Sequence, residues 1–199
     1  MHQVVYVMKL SKLLTQHKAE IVQKWFDNAV QSYKADVAKF LKTQSDQFAN
    51  PVGGALSNNL EPLFNELCGP MNTDVLTASL DPVIRIRAVQ SFAPSQAVAF
   101  IFSLKRVIRS ILKKELRSDN LLQQLYEFDM KIDVLGLIAF DAFMACREKI
   151  YDLKANEMRN RTLHAFERAK LVKNTSIYSI HAQGAQSITN REEVLSKDK

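Results

Sequence analysis

The chain has 199 residues, of which 47% are hydrophobic and 24% are charged, and its formal net charge is +6 at pH 7. This composition predicts one domain with a sizeable core plus appendages, and the five glycines and five prolines disfavour a β-rich fold with many tight turns. The N-terminus lacks the features of a signal peptide, and no apolar run reaches the ~20 residues that a membrane span needs. We therefore expect a cytoplasmic protein without membrane insertion.

The first half of the chain carries a helical hydrophobic pattern that is broken at proline and glycine. An apolar face repeats through residues 18–33, and a second helix is predicted over residues 55–68. Between them, the segment Asn-Pro-Val-Gly-Gly at residues 50–54 predicts a turn in which positive φ is available to glycine. A Gly-Pro pair predicts the end of the second helix, and a short helix is expected at residues 73–79.

The second half of the chain predicts further helix starts and two long helices. Asp81 with Pro82 marks one start, and Pro94 marks the start of a long helix that ends near residue 116. Ser118 is expected to cap the last long helix, whose apolar positions recur at steps of three and four. A stripe of this length is typical of a central helix packed against several others, or of a dimer interface. Its residues are Leu121, Leu125, Phe128, Ile132, Leu135, Ala139, Ala142 and Cys146.

The domain organisation is predicted from the places where the composition changes. We expect a variable extension at residues 1–9, a helical domain at 10–147, a charged linker or output helix at 148–173 and a flexible tail at 174–199. The charged helix keeps a thin apolar stripe, so its Met158 and Phe166 are candidates for contact with a partner protein.

Three charged residues lie in strongly apolar surroundings. Arg85 and Arg87 stand among branched apolar residues, and Asp141 lies within the apolar segment 134–144. Because an unpaired buried carboxylate costs several kcal/mol, we expect Asp141 to meet one of the arginines in a polar network that fixes two helices in register. The alternatives are arginines that extend to solvent, and a ligand pocket.

One helix face concentrates positive charge. Lys105, Arg109 and Lys113 follow one another at steps of four and therefore share a face of the helix at 94–117. Such a face is a candidate for docking an acidic protein or nucleic acid. A solvated face is the favoured interpretation, because no aromatic side chains are interleaved there for base stacking.

The sequence offers no pattern of a catalytic or cofactor site. None of the histidines lies on the strongly apolar helices, where a haem ligand would be held in a dry pocket. These histidines are His2, His17, His164 and His181. The sequence has no metal-binding motif, no Gly-x-Ser-x-Gly turn and no phosphate-binding glycine loop. We therefore expect no enzyme activity, no cofactor and no metal.

Several spaced motifs resemble one known family, the N-terminal sensor domain of RsbT co-antagonist proteins of the RsbRD type, which are bacterial stressosome regulators. The resemblance extends over about residues 10–170. The motifs that carry it are Ile21-Val22-x-x-Trp25, Phe48-Ala49-Asn50-Pro51-Val52-Gly53, Arg85-Ile86-Arg87-Ala88-Val89-Gln90 with Phe92, Pro94-Ser95-Gln96-Ala97, Cys146-Arg147-Glu148-Lys149-Ile150-Tyr151 and Asn156-Glu157.

The resemblance implies an all-α, single globin-like helical domain with a long C-terminal helix, which dimerises and lacks haem. It implies a non-catalytic sensor or adaptor in a bacterial stress-response pathway that acts through protein–protein contacts. Such domains commonly precede a phosphorylatable STAS domain, which this sequence does not show, so we expect signalling to a separate partner. The alternatives are a globin-like sensor that binds haem or another cofactor, and a nucleic-acid-binding regulator that uses the basic face of helix 94–117.

Overall fold

The computed structural model describes residues 9–44, 46, 48–90 and 92–169, and within them the chain forms α-helices and no strands. The all-α prediction is therefore confirmed. The helices are α1 (Leu10–Gln16), α2 (Lys18–Val30), α3 (Ala35–Thr43), α4 (Pro51–Cys68), α5 (Thr73–Val89), α6 (Pro94–Ile111) and α7 (Asp119–Arg168). The chain divides into a first unit that ends at Ile150 and a second that begins at Tyr151. The flexible tail predicted at 174–199 lies outside the described residues.

The core of the first unit forms where α4 packs against α5 and α2, and α2 packs against α6. Trp25 of α2 is fully buried at this centre, and its indole N–H donates to the carbonyl oxygen of Phe100 over 2.8 Å. The two rings stack with their centroids 6.3 Å apart. A buried indole needs such a partner for its N–H, so this bond fixes the position of α2 on α6.

Asn50 joins the end of α3 to the start of α4. Its side-chain oxygen accepts a bond from the amide of Gly53 over 2.9 Å, and its side-chain nitrogen donates to the carbonyl oxygens of Leu41 and Gln44. A Cβ on Gly53 would lie 2.7 Å from the Leu41 oxygen, so this close approach requires glycine. The predicted glycine turn is wrong: α4 begins at Pro51, and no described glycine has positive φ.

The predicted break before Pro82 is also wrong. One helix, α5, continues from Thr73 to Val89 with Pro82 inside it. Proline removes a single helical N–H donor, and burial of Leu80 and Ile84 on either side stabilises the helix across that position. Asn72, rather than Asp81, caps this helix, because its side-chain oxygen accepts from the first free amides.

The long helix α7 buries one stripe against the rest of the first unit. Most of the predicted stripe is buried, from Leu121 to Ala139, and Phe128 packs edge-on against Phe64 with ring centroids 6.4 Å apart. The ammonium group of Lys131 donates to the carbonyl oxygens of Leu67 and Gly69, each over 3.0 Å, and so caps the C-terminus of α4. The preceding helix α6 ends at Ile111, five residues earlier than predicted.

Candidate interaction surface on the last helix

Arg87 is a buried cation whose hydrogen-bond partners are neutral. It is 1% exposed, and one terminal nitrogen of its guanidinium donates to the carbonyl oxygens of Gln96 and Ala97 in the first turn of α6. The other donates to the carbonyl oxygen of Ala29 over 3.1 Å and to the hydroxyl of Ser32 over 3.2 Å at the end of α2. Arg87 therefore ties α5 to both α2 and α6, and the negative end of the α2 dipole favours its charge.

Three aromatic rings surround the Arg87 guanidinium. Its central carbon lies 4.6 Å from the ring centroid of Phe100, 5.2 Å from that of Phe92 and 5.5 Å from that of Tyr33. Burial lowers the pKa of Arg87, and the attraction of Tyr33 in its phenolate form opposes that shift. Burial likewise raises the pKa of the Tyr33 phenol, whose hydroxyl is hydrogen-bonded to Gln90. Cation–π attraction at this desolvated site compensates part of the burial cost.

The predicted network of Arg85, Arg87 and Asp141 does not form. The Arg85 side chain pairs with Asp81 one turn earlier on the same helix, and the bond to that carboxylate raises the pKa of Arg85. Arg87 bonds to carbonyls and a hydroxyl instead of a carboxylate, while Asp141 is exposed. The apolar neighbours of Asp141 led to the wrong inference because α7 is apolar on a face that the first unit leaves uncovered.

The basic face on α6 is largely neutralised by carboxylates of α7. The ammonium group of Lys105 lies 2.6 Å from the Asp133 carboxylate, and Arg109 forms an ion pair with Asp129. Asp129 is buried at 8% exposure, so this pair is shielded from solvent on one side. Lys113 lies beyond the end of α6 and is exposed. Two of the three predicted docking charges therefore hold α6 to α7.

The sequence interpretation missed a second apolar stripe on α7, which we call the outer stripe. Its members are large hydrophobic side chains that are each between 39% and 65% exposed. At about 100° per residue they lie roughly opposite the buried stripe. They are Leu122, Tyr126, Met130, Val134, Leu137 and Phe140.

Phe102 of α6 extends the outer stripe sideways. Its side chain is 39% exposed and lies against Gly136 of α7, where a Cβ would fall within 2.8 Å of the ring. Glycine at this position lets the tip of the ring approach the helix backbone closely. A lone glycine inside a predicted helix is the only sequence signal that could have revealed this close crossing.

Met158 and Phe166, the other predicted contact residues, are in the second unit. Met158 is 71% exposed and Phe166 is 44% exposed, so both are accessible on the part of α7 that follows Ile150. Their contact with a partner stays a prediction.

A cavity of about 350 Å³ lies between α2, α3 and α4. Apolar side chains such as Val22 and Phe26 form one side of it, and Lys42 stands on the other. The ammonium group of Lys42 is 2.6 Å from the Asp27 carboxylate, so its charge is already paired. The cavity has a size that small ligands use, but it offers no free charge to orient one.

No group of three or more His, Cys, Asp or Glu side chains in the described part of the chain is arranged to hold a metal ion. Among the helices that the structure describes, none has the length and apolar character of a membrane span.

Comparison with known proteins gives the family. Residues 19–158 match the family model described as the RsbT co-antagonist protein rsbRD N-terminal domain, which is more than half of the chain. An uncharacterized protein of Archaeoglobus fulgidus is 26% identical over 145 residues, which are 70% of this chain and 83% of the relative. No solved structure matches. The chain therefore belongs to the family of RsbT co-antagonist protein rsbRD N-terminal domains, which are regulatory domains of stress signalling.

Proposed function

We propose that this protein is a non-catalytic sensor or adaptor of a bacterial stress-response pathway, which works in the cytoplasm through protein–protein contacts. Membership of the family supports a role in stress signalling, and the outer stripe of α7 is the observation that supports action through protein–protein contacts. The globin-like arrangement and the homodimer belong to the same proposal.

The outer stripe supports a contact function because of its size and continuity. From Leu122 to Phe140 it follows one side of α7 for about 27 Å. Scattered exposed apolar side chains are normal on a protein surface, but contiguous apolar patches mark interaction sites. With Phe102 beside it, the stripe offers aromatic and methionine side chains, which are enriched at protein interfaces.

The contacts between helices supply a route by which a signal would reach the outer stripe. Arg87 connects α5 to α2 and α6, and the ion pairs of Lys105 and Arg109 connect α6 to α7. A ligand or partner that displaces α2 or α5 would therefore shift α6 and change the surface that α7 presents. Met158 and Phe166 are the proposed output contacts further along α7.

Affinity capture from an extract of host cells tests the proposed function. We expect the wild-type protein to retain a signalling partner that a Leu137→Glu variant loses, because Leu137 is 65% exposed, more than any other member of the outer stripe. The matched control is Val75→Glu, which places the same charge at an exposed apolar position in the first turn of α5. Glutamate is favourable in a first helical turn, so this control stays folded.

Two results would contradict the proposed function. One is a set of captured proteins that is the same for wild type, Leu137→Glu and Val75→Glu. The other is capture of proteins with no part in signalling or stress response, in a manner that depends on Leu137. Circular dichroism of each variant shows that helix content is unchanged before capture is compared.

A further inference from the structure

We propose that the cavity between α2, α3 and α4 binds a small uncharged molecule that has an apolar body and an amide or hydroxyl group. The cavity is separate from the outer stripe of α7 and lies within the first unit. The site itself is inferred from its own geometry, and only its role as the input of a sensor rests on the proposed function.

The cavity is large enough for a molecule with two rings. Its volume is about 350 Å³, within the range of about 300–1,000 Å³ that ligand sites occupy. An apolar cavity of about 150 Å³ is known to hold one benzene ring. More than twice that volume accommodates two fused rings with a polar substituent.

The inner wall of the cavity is apolar and incompletely covered. Leu41 of α3 and Leu60 of α4 belong to the buried core, whereas Val22 and Phe26 of α2 are only partly buried beside it. A ligand that covers these two α2 side chains removes further apolar surface from water, which favours binding. The wall therefore suits the apolar body of a ligand.

The α4 side of the cavity has two glycines in succession, although glycine is unfavourable inside a helix. Gly53 is required by its close approach to the side chain of Asn50 and the carbonyl oxygen of Leu41. Gly54 borders the cavity one turn before Ser57, which borders it too. Since positions three apart share a face of a helix, a side chain at position 54 would take up space beside Ser57.

Three polar side chains at the cavity have hydrogen-bonding capacity that the protein leaves unused. The side-chain amide of Gln23 has no hydrogen-bond partner among the residues that the structure describes. The side-chain oxygen of Gln44 accepts from the backbone amide of Asp46 over 3.1 Å, and its side-chain N–H groups remain available to a ligand. The Ser57 hydroxyl donates to a backbone carbonyl oxygen and can still accept. Together these groups supply the donors and acceptors that an amide or hydroxyl group needs.

The charges beside the cavity favour an uncharged ligand. The ammonium group of Lys42 lies 2.6 Å from the Asp27 carboxylate, so each charge already has its counter-charge. An ionic ligand would lose part of its hydration in the cavity without gaining an unpaired charge in return, which is unfavourable. A neutral ligand avoids that loss.

A ligand in this cavity would hold α3 against α2 and α4. Within α3, all of which the structure describes, only Leu41 is buried, so this helix has little core contact of its own. The ligand would contact Leu41 and Gln44 on the α3 side, and Phe26 and Ser57 on the facing helices. Binding should therefore slow hydrogen exchange of the α3 amides, because it raises the free energy of opening this helix.

Titration of the full chain with four probes that share a naphthalene ring tests the site and the class of ligand. The probes are 2-naphthamide, the anion 2-naphthoate, the cation 2-naphthylmethylammonium and naphthalene itself. Two-dimensional NMR of the backbone amides follows the signals of Gly53 and Gly54. We expect 2-naphthamide to shift these signals saturably and to bind at least about tenfold more tightly than either ion. Naphthalene should bind about threefold more weakly than the amide, because it makes no hydrogen bond.

Three results of the titration would overturn the inference. One is the absence of a saturable shift with 2-naphthamide at the glycine signals. Another is tighter binding of either ion, which would show that the site selects charge. The third is naphthalene binding as tightly as the amide, which would show that the polar side chains do not contribute.

Two variants with a matched control locate the ligand. Gly54→Leu should weaken binding of 2-naphthamide by about tenfold or more, because the added side chain fills the cavity, while leucine favours the helix. Asn58→Leu is the control, since it places leucine at an exposed position of α4 that does not border the cavity, and it should bind like the wild type. Undiminished binding in Gly54→Leu, or equal loss in Asn58→Leu, would contradict the assigned place.

Gln23→Met keeps the inference testable if Gly54→Leu fails to fold. Gln23 is exposed on α2, so the substitution leaves the core unchanged and removes one hydrogen-bonding group from the cavity. We expect the preference for 2-naphthamide over naphthalene to shrink. A preference that stays the same as in the wild type would contradict the role of Gln23.

Partner capture separates the ligand site from the proposed function. Saturable binding of 2-naphthamide with slower exchange in α3, but with partner capture that the probe does not alter, supports the site and contradicts its role as the input of a sensor. Partner capture that depends on Leu137, with no binding of any of the four probes, contradicts the site and leaves the proposed function intact.

Discussion

Replacement of Arg87 by alanine should strongly destabilise the first unit. The side chain is 1% exposed and makes four hydrogen bonds, to the carbonyls of Gln96, Ala97 and Ala29 and to the Ser32 hydroxyl. Removal of this side chain therefore removes the hydrogen bonds that connect α5 to both α2 and α6.

The size of the effect is set by two opposing terms. Hydrogen bonds from a charged group contribute about 1.5–3 kcal/mol each, while burial of the charge costs several kcal/mol. Truncation also leaves a cavity between the rings of Phe100, Phe92 and Tyr33. We therefore expect Arg87→Ala to lower the free energy of unfolding by about 3–5 kcal/mol, which is a large part of the about 5–15 kcal/mol of a typical domain.

Arg87→Met keeps the prediction testable if the alanine variant fails to fold. Methionine retains the packing of the stem against the three rings and removes the charge together with its burial cost. The carbonyls of Gln96 and Ala97 keep their bonds within α6, so few acceptors lose a partner. We expect a loss of about 1–2 kcal/mol for this variant.

Urea denaturation followed by circular dichroism measures these differences, and Arg85→Ala is the matched control. Arg85 is two residues away on the same helix but is exposed and pairs only with Asp81 of its own helix, so its loss should leave the midpoint almost unchanged. An Arg87→Ala protein within 1 kcal/mol of the wild type, or an Arg85→Ala protein that is destabilised as much as Arg87→Ala, would refute the assigned role of the buried arginine.

Three further changes test the contacts that position α7 and α4. Gly136→Ala should destabilise the protein by about 1–3 kcal/mol because the added Cβ meets the Phe102 ring. In a Phe102→Ala background the clash is absent and the same change should cost less, so additive losses in thermal unfolding of the double variant would contradict this contact. Asn50→Ala should cost about 1–2 kcal/mol through loss of the α4 cap, and an unchanged denaturation midpoint would argue against that cap. Asp129→Asn should cost about 1–3 kcal/mol by removing the buried partner of Arg109, and loss of equal size in an Arg109→Met background would show that the pair is not the cause.

The parts of the fold that could be predicted from sequence are those with a local signal. Apolar residues repeat at helical spacing through residues 18–33, and α2 occupies most of that range. As the sequence indicated, Pro94 begins α6 and Gly69 follows the end of α4. The short helices α1 and α3 were not predicted. They are only seven and nine residues long, too short to show a clear apolar period, and contacts outside each helix hold them, such as the Asn50 side chain on the carbonyl oxygen of Leu41.

The candidate site was harder to predict because it depends on which faces are covered. The apolar surroundings of Asp141 indicated burial, but periodicity cannot show whether one or both sides of an apolar helix contact the rest of a chain. The partners of Arg87 are mostly backbone carbonyls, which have no sequence signature. The match between the carboxylates of α7 and the basic face of α6 requires knowledge of how the two helices cross.

Hydroxyl-radical footprinting of Met130 tests most directly whether the outer face of α7 is an interface. Met130 is 54% exposed in the single chain and Met158 is 71% exposed, so a free chain would oxidise both at similar rates. In purified protein at tens of micromolar, we expect oxidation of Met130 to be several-fold slower than that of Met158, and to become comparable on dilution or in Leu137→Glu. Equal oxidation of the two methionines at every concentration would contradict the claim that the outer stripe is covered.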